Sequence, residues 1–344
     1  MQLKNSFMTY LLIAIVFILF IVLSVQLVRV GELLSRIKGQ DPNEVTDKDN
    51  NTQGILFLVV GFGFIAFVIW QMIAWDHLLL PPAASEHGQE IDALMTASMA
   101  LILVVFFVLT PMLFIFAYKY RGKKGNKAYF FSHNNKLEVI WTVIPTIILT
   151  GFIIYGLKTW DKAMNIKVTP ETKVIEIYGQ GLGKFGWTAR YAGEDNILGD
   201  ANYKLVDSDN VLGVNMNDKN SYDDKVTRKV HLVVGQPVLL KFRSQDVIHS
   251  AYLPHFRVQM NCVPGIVTQF GFTPTKTTKQ MQKEEGPDFK YVLLCNKICG
   301  AGHWNMQMEF VVQTQEEFDE WYASQKTLED KLLSQEDEQL ITQK

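Results

Sequence analysis

The sequence predicts a membrane-spanning α-helical N-terminal part of about four helices, followed by an all-β domain that closes on a C-terminal helix. Three observations predict it. Four apolar runs, each near the length of about 20 residues that crosses a bilayer, fall in the first 160 of 344 residues. Beyond them the chain breaks into short apolar strands separated by Gly and Pro. Near the C-terminus, Thr314 and Glu317 have capping-box spacing and precede an aromatic stripe of Phe318, Trp321 and Tyr322.

The first run, residues 10–30 (YLLIAIVFILFIVLSVQLVRV), follows Lys4, as a signal peptide would. It is long for a signal, and neither a small-x-small cleavage site nor a lipoprotein-type cysteine follows, so it reads as a retained helix. Residues 54–75, 93–118 and 139–160 are the other three runs. Their length and near-freedom from charge, with Lys158 the one charged residue in them, argue against buried core helices. Charge sets the topology. Lys119, Arg121, Lys123, Lys124, Lys127 and Lys136 make the loop between the third and fourth runs cytoplasmic. Arg29, Arg36, Lys38 and Lys48 keep the first connection inside as well. The N-terminus, the acidic connection of Glu86, Glu90 and Asp92, and everything after Trp160 then lie outside.

In the second half, strands are expected at 173–178, 229–234, 237–242, 267–272, 289–294 and 308–312, a pattern of sandwich or barrel type. The stretch 193–225, rich in Asp, Asn and Gly, reads as a solvated loop. The charged tail from Leu328 either continues as helix or frays. The resulting organisation is 1–92 (two extra helices and connections), 93–160 (a transmembrane hairpin), 161–323 (the β domain) and 324–344 (the tail). A net charge of −2 gives no footprint for nucleic acid, and no C-x-x-C-H is present to attach a c-type haem.

One loop carries the chemistry. Cys295, Cys299, His303 and Met306 lie in CNKICGAGHWNM, residues 295–306. A zinc site more often shows C-x-x-C pairs, and a disulfide gives no reason for His303 and Met306. Thiolate, thioether and imidazole together suit copper, which changes oxidation state. Two neighbouring thiolates can bridge two ions, each of which then needs an imidazole. His303 supplies one. Of the seven histidines, His249 in DVIHSAYLP is the first candidate for the second, and His255 is its competitor.

With DVIHS (246–250), this loop resembles the binuclear copper centre, CuA, of cytochrome c oxidase subunit II, a family of the haem-copper oxidases. HNNKLEVIWTVIP (133–145) is similar to the start of that family's second transmembrane helix, and PHFRVQMNCVPG (254–265) to the stretch after its first copper histidine. The resemblance covers about residues 93–323. It implies a cupredoxin-like domain outside a bacterial inner membrane, on the periplasmic side of a multi-pass chain. It implies that Cys295 and Cys299 bridge two coppers, with His249 and Met306 on one and His303 and the Lys297 backbone carbonyl on the other. The implied donor is cytochrome c or a membrane-bound cytochrome. The implied acceptor is the haem-bearing subunit I, which carries the haems and CuB and reduces oxygen to water. The chain would thus be part of a proton-translocating oxidoreductase, and not catalytic alone.

The family places a glutamate like Glu138 near the mouth of a proton pathway; the plainer reading is a helix-start carboxylate. GKFGWTARY (183–191) stands where the family has an aromatic run at its electron-input surface. Phe185 takes the place of its first Trp and Trp187 that of its second; either is a candidate exposed contact for the donor, and Trp187 is equally a candidate for the core. Arg190 falls where an acid is frequent, which argues against a basic soluble donor. Lys297 and Asn261 replace the Glu and Asp of an interfacial magnesium site, so that metal is not expected. Cys262 reads as a spare buried cysteine. The rivals are a quinol oxidase subunit, which lacks the ligands, a nitrous oxide reductase copper domain, which lacks the helices, and a thioredoxin-type copper-delivery protein. The last predicts α/β alternation around the cysteines.

Overall fold

The computed structural model describes residues 2–37, 39, 44–181, 185–207 and 210–330, with side chains from Tyr10 onward. Lys38, Gly183, Lys184 and the tail beyond Asp330 lie outside the described residues. The helices are α1 (Gln2–Ile37), α2 (Asp47–Ala74), α3 (Glu86–Lys119) and α4 (Asn135–Met164), and each contains one of the four apolar runs. All are apolar around their circumference, and at most 6% of each apolar window is buried within the chain. Such helices need lipid or neighbouring subunits to cover them.

Caps decide where these helices start. Thr46 and Asp49 exchange bonds ahead of α2: the Asp49 N–H donates to Thr46 Oγ1 at 3.2 Å, and the Thr46 N–H to Asp49 Oδ2 at 3.0 Å. Asn134 caps α4 by accepting from the Leu137 N–H at 3.1 Å.

The chain divides into two compact units. In the first, residues 1–74 and 104–132, Phe64 meets Phe106 edge to face at 6.1 Å. Arg121 also donates to Asn51 Oδ1 and to the Tyr118 carbonyl, each at 2.7 Å.

The second unit, residues 75–103 and 133–344, holds the β domain. Its strands are β1 (Lys173–Gln180), β2 (Gly186–Tyr191), β3 (Lys225–Thr227), β4 (Val230–Val233), β5 (Val238–Ser244), β6 (His249–Leu253), β7 (Val258–Cys262), β8 (Thr268–Phe272), β9 (Tyr291–Cys295) and β10 (Gln307–Gln313). They form two five-stranded sheets, ordered β3-β2-β1-β5-β8 and β4-β10-β9-β6-β7. The pairs β1–β5 and β4–β10 are parallel, and the other pairs are antiparallel. The facing sides meet in one core: Ile175, Ile177, Leu240 and Phe242 from the first sheet, and Leu232, Leu293, Met308 and Phe310 from the second. This is a sandwich of the cupredoxin-like kind. Two helices, α5 (Thr278–Glu285) and α6 (Gln315–Ala323), complete it, each opened by a capping box. The box at α6 is the expected Thr314 and Glu317 pair.

The connection into α3 is clasped by the sandwich. The Ala84 N–H donates to the His255 carbonyl at 2.7 Å, and the Thr275 N–H to the Ala84 carbonyl at 2.8 Å. Arg257 grips Asp92 through Nε at 2.8 Å and Nη2 at 2.9 Å. The acidic connection therefore lies on the same side as the β domain, as the charge reading requires.

The stretch 193–225 differs from the expected solvated loop. β1 is buried along both faces because this stretch covers its outer side. Leu212 and Val214 pack with Tyr178 in a small second core. Beneath it lies a buried charge cluster. Arg190 donates to Glu176 and Asp224 at 3.0 Å each, and Arg243 donates to Glu176 at 3.1 Å. Arg190 Nη1 also reaches the Gly199 carbonyl at 2.9 Å. Arg190 is only 2% exposed, so it contributes nothing to a docking surface, and the objection it raised to a basic soluble donor falls away. Removing it alone would strand one buried carboxylate, Asp224, since Glu176 keeps Arg243, at a cost of up to about 3–5 kcal/mol.

Burial pushes the Asp224 carboxyl up to about 7, even with Arg190 beside it. Its folded pKa thus exceeds its unfolded one, so the fold holds a proton that the unfolded chain releases. The stability this contributes is complete below about pH 4 and is lost as pH rises through about 7. Comparing the thermal midpoint of wild type and Asp224→Asn from pH 4 to pH 8 checks this. The wild type should lose stability relative to the variant across that window.

Candidate metal centre

The centre forms where β6 and β9 run side by side. Ala251 pairs with Cys295 across the two strands, and the Asn296 N–H donates to the Ser250 carbonyl at 3.1 Å. His249 opens β6 and Cys295 ends β9, so this pairing brings the two ligand-bearing segments together from 46 residues apart. The loop after Cys295 then turns back. A 3-10 turn over His303–Asn305 returns Met306 to the core, where its carbonyl accepts from the Cys295 N–H at 3.1 Å.

The donor atoms converge. Cys295 Sγ lies 3.8 Å from Cys299 Sγ, and the two thiols are free. His249 Nδ1 is 3.9 Å from Cys295 Sγ, and His303 Nδ1 is 3.5 Å from Cys299 Sγ. Met306 Sδ is 3.8 Å from Cys299 Sγ, and the Lys297 carbonyl oxygen 3.3 Å from Cys295 Sγ. Ligand bonds of about 2.3 Å to sulfur and about 2.0 Å to nitrogen allow donors at such separations to share ions. The set is soft sulfur plus imidazole, so its chemistry fits copper. The ligand atoms of His249, Cys295 and Cys299 all lie within 4.8 Å of one another.

The surroundings hold the ligands in place. His249 is fully buried, and its Nε2 lies 2.9 Å from Asp246 Oδ1. An N–H donated to that carboxylate fixes the tautomer and leaves the Nδ1 lone pair facing the thiols. Burial alone would lower the His249 pKa, but contact with Cys295 and Asp246 outweighs it and the net shift is upward. Trp187, 2% exposed, packs edge-on to His249 at 5.9 Å and aims its indole N–H at the Met306 carbonyl, 3.4 Å away. Gly179 of β1 makes this close packing possible, because a Cβ there would lie 2.9 Å from the His249 ring. Phe185, half-buried, lies against Gly302, where a Cβ would come within 2.2 Å of its ring.

The other sequence candidates lie elsewhere. His255 packs edge-on against Phe289 at 5.0 Å and Tyr291 at 5.5 Å, and burial lowers its pKa to about 4. Glu138 is exposed in the first turn of α4, 3.5 Å from the Asn134 N–H. Cys262 is fully buried opposite His249 across the β6–β7 ladder, where burial pushes its thiol up to about 12. Sequence reading missed Asp246, although the spacing Asp-x-x-His was a signal for it. It also missed Trp304, which stands 84% exposed directly after His303, and Ile298, 91% exposed directly before Cys299.

The strands around the cysteines leave no place for a thioredoxin-type delivery protein. Comparison with known proteins gives the same answer. The sequence model described as cytochrome c oxidase subunit II, transmembrane domain, matches residues 70–159. The model of the periplasmic domain of the same subunit matches residues 181–315. α1 and most of α2 precede these matches. The alternative cytochrome c oxidase subunit 2 of Bradyrhizobium diazoefficiens is 28% identical over 278 residues, covering 79% of this chain and 91% of the relative. The cytochrome c oxidase subunit 2 of Thermostichus vulcanus is 26% identical over 284 residues, covering 75% and 82%. With both domains of one subunit matched in order across the α3–α4 hairpin and the sandwich, the chain belongs to the cytochrome c oxidase subunit II family.

Proposed function

We propose that this chain is the electron-receiving subunit of a haem-copper terminal oxidase and that it holds a binuclear CuA centre. In this reading Cys295 and Cys299 bridge two copper ions. His249 and Met306 complete one ion's ligands, and His303 and the Lys297 carbonyl complete the other's. The observation that carries the proposal is the pair of thiols 3.8 Å apart, each with an imidazole Nδ1 beside it. When bound, such a copper pair takes up and gives up one electron at a time, and sharing that charge keeps each bond change small.

The chain's own residues supply rigidity and dryness. Asp246 holds the His249 ring, Trp187 excludes water behind it, and the strand pairing fixes the cysteines. Ligands held this way need little rearrangement when charge arrives. The donor is a c-type cytochrome, soluble or membrane-bound. The acceptor is the haem-bearing subunit I, which holds the haems and CuB and reduces oxygen to water. The helices anchor the chain in a bacterial inner membrane, with the sandwich in the periplasm. Glu138, at the cytoplasmic start of α4, stands at the mouth of a proton pathway into subunit I. Lys297 offers no side-chain ligand to a magnesium ion.

The full chain, purified in detergent and loaded with copper, should bind two copper ions. Its electron paramagnetic resonance spectrum should show one unpaired electron split by both nuclei. One copper per chain with single-nucleus splitting would overturn the reading. Substituting Asp246→Ala should weaken copper binding by about 10–100-fold without altering the circular dichroism of the sandwich. Competition with a chelator of known affinity measures the loss.

A further inference from the structure

The sandwich is attached to the membrane helices in two ways. Its covalent link is one length of chain, residues 165–172 between α4 and β1. A single link, even with Ile166 packed against Gly271 beside it, leaves the sandwich able to tilt about that point. The second attachment is the turn between β6 and β7, where three consecutive residues face the entry into α3. The His255 carbonyl accepts from the Ala84 N–H, and the Phe256 carbonyl accepts from Ser85 Oγ at 2.7 Å. The Arg257 carbonyl lies 3.4 Å from His87 Nε2. Ser85 and His87 are both buried, so this seam is closed to water within the chain itself.

Arg257 locks the seam from a strained backbone. Its φ of 54° and ψ of 34° lie in the left-handed region. Among the described residues, Asn196 is the one other non-glycine at positive φ. A glycine would take this conformation freely, and an outlier of this kind persists where the surrounding structure over-determines it. Here the side chain supplies the constraint. The guanidinium, 8% exposed, forks onto both Asp92 oxygens, and Nη2 also donates to the Pro81 carbonyl at 2.6 Å. Gly88 permits this approach, since a Cβ there would lie 3.2 Å from Arg257 Cγ and 2.6 Å from Ser85 Oγ. The turn adjoins Leu253 at one end of β6, and His249 stands at the other end, about 14 Å away at strand rise. The β6–β7 hairpin is thus a stiff arm, with the seam at one end and a proposed copper ligand at the other.

We infer that Arg257, clamped on Asp92, is a positioning residue for electron output: it fixes the tilt of the sandwich on the helices, and with it the distance from the copper pair to its acceptor in subunit I. The inference rests on the binuclear copper reading above. In the step it serves, one electron leaves the reduced copper pair and turns a ferric haem of subunit I ferrous. No bond in the chain forms or breaks, and no proton moves. Such a transfer slows steeply with distance, so rotation about residues 165–172 would change its rate without changing the copper ligands. Arg257 acts at the turn. A lysine there would keep the charge and the strained backbone but lose the planar fork that holds both carboxylate oxygens.

The test uses the purified oxidase complex with Arg257→Gly, Arg257→Lys, Asp92→Asn and the double variant Arg257→Gly/Asp92→Asn. Three quantities are read: the rate at which copper photoreduced by a ruthenium(II) dye passes its electron to haem, the rate of copper reduction by cytochrome c, and the copper resonance spectrum. Arg257→Gly relieves the backbone and removes the clamp. It should slow output by about 10–100-fold, as small misplacements far from the reacting centre do. Arg257→Lys should recover only part of the rate. Asp92→Asn should slow output less than Arg257→Gly, and the double variant should be no slower than Arg257→Gly alone, because the two residues act as one unit. Reduction by the cytochrome and the copper spectrum should stay as in the wild type. Asp92→Asn changes no residue of the sandwich, so it decides the matter if Arg257→Gly does not assemble. Unchanged output in these variants would overturn the inference, leaving the clamp a part of the fold alone. So would an altered copper spectrum, or equal slowing of input and output, which would place the effect at the ligands. A wild-type spectrum without two-nucleus splitting would instead sink the copper reading itself, so the two failures are distinguishable.

Discussion

The pairing of β6 with β9 is the contact on which this centre depends. Two thiols, two imidazoles and a thioether must meet within a few ångströms, and the chain supplies them from positions 249 and 295–306. Local structure brings the last four together, because the loop from Cys295 to Met306 folds back on itself. His249 arrives only because Ala251 and Cys295 are neighbours across a ladder. The ladder in turn needs the two sheets to face one another, since Leu293 and Leu253 bury their side chains in the common core. Rigidity at the ligands is thus a property of the whole sandwich. A loop alone would leave the thiols free to rotate apart.

Much of this was legible in the sequence, for identifiable reasons. The four membrane helices are long and apolar, and no other element imitates that. The expected strands were those rich in Val, Ile and Leu, because β-branched and aliphatic runs signal strands directly. β2, β3, β6 and β7 are not among the expected strands, and β3 is only three residues long. GWTARY, HSAYL and VQMNC mix polar and ligand residues into the ladder, and function has displaced the apolar alternation there. α5 was passed over because it is eight residues long and almost wholly polar, although Thr277 and Gln280 signal its start. The stretch 193–225 departs from the solvated loop that its Asp and Asn content suggests. Several instead accept backbone N–H groups: Asp223 from Glu194, Asp218 from Asp200, and Asn210 from Val214. Composition cannot distinguish a carboxylate that caps a turn from one that faces water.

At the site, residue type and spacing carried the cysteines, His303 and Met306. The choice of His249 over His255 depended on what each ring would touch. In the fold, His249 meets a carboxylate and a thiol, while His255 meets two aromatic rings. The sequence does not decide between surface and core for Trp187, because a tryptophan in a strand serves either face equally well. Its neighbours on the register settle the matter, since Trp187 pairs with Gly179, the residue that leaves room for the His249 ring.

The two imidazoles sit in unlike surroundings, and that asymmetry follows from the scaffold. His249 belongs to a strand, is fully buried, and is backed by Asp246 and Trp187. His303 belongs to a 3-10 turn, is half-buried, and is followed by a side chain open to water. A strand residue is held by bonds on both sides and loses little freedom when it takes a ligand. A turn residue is held by fewer contacts, but it can lie at the surface without exposing the core. A centre that must stay rigid and also be reached from outside needs both kinds of anchorage. The edge of a sandwich, where a strand end and a returning loop meet, is where a protein can supply them together.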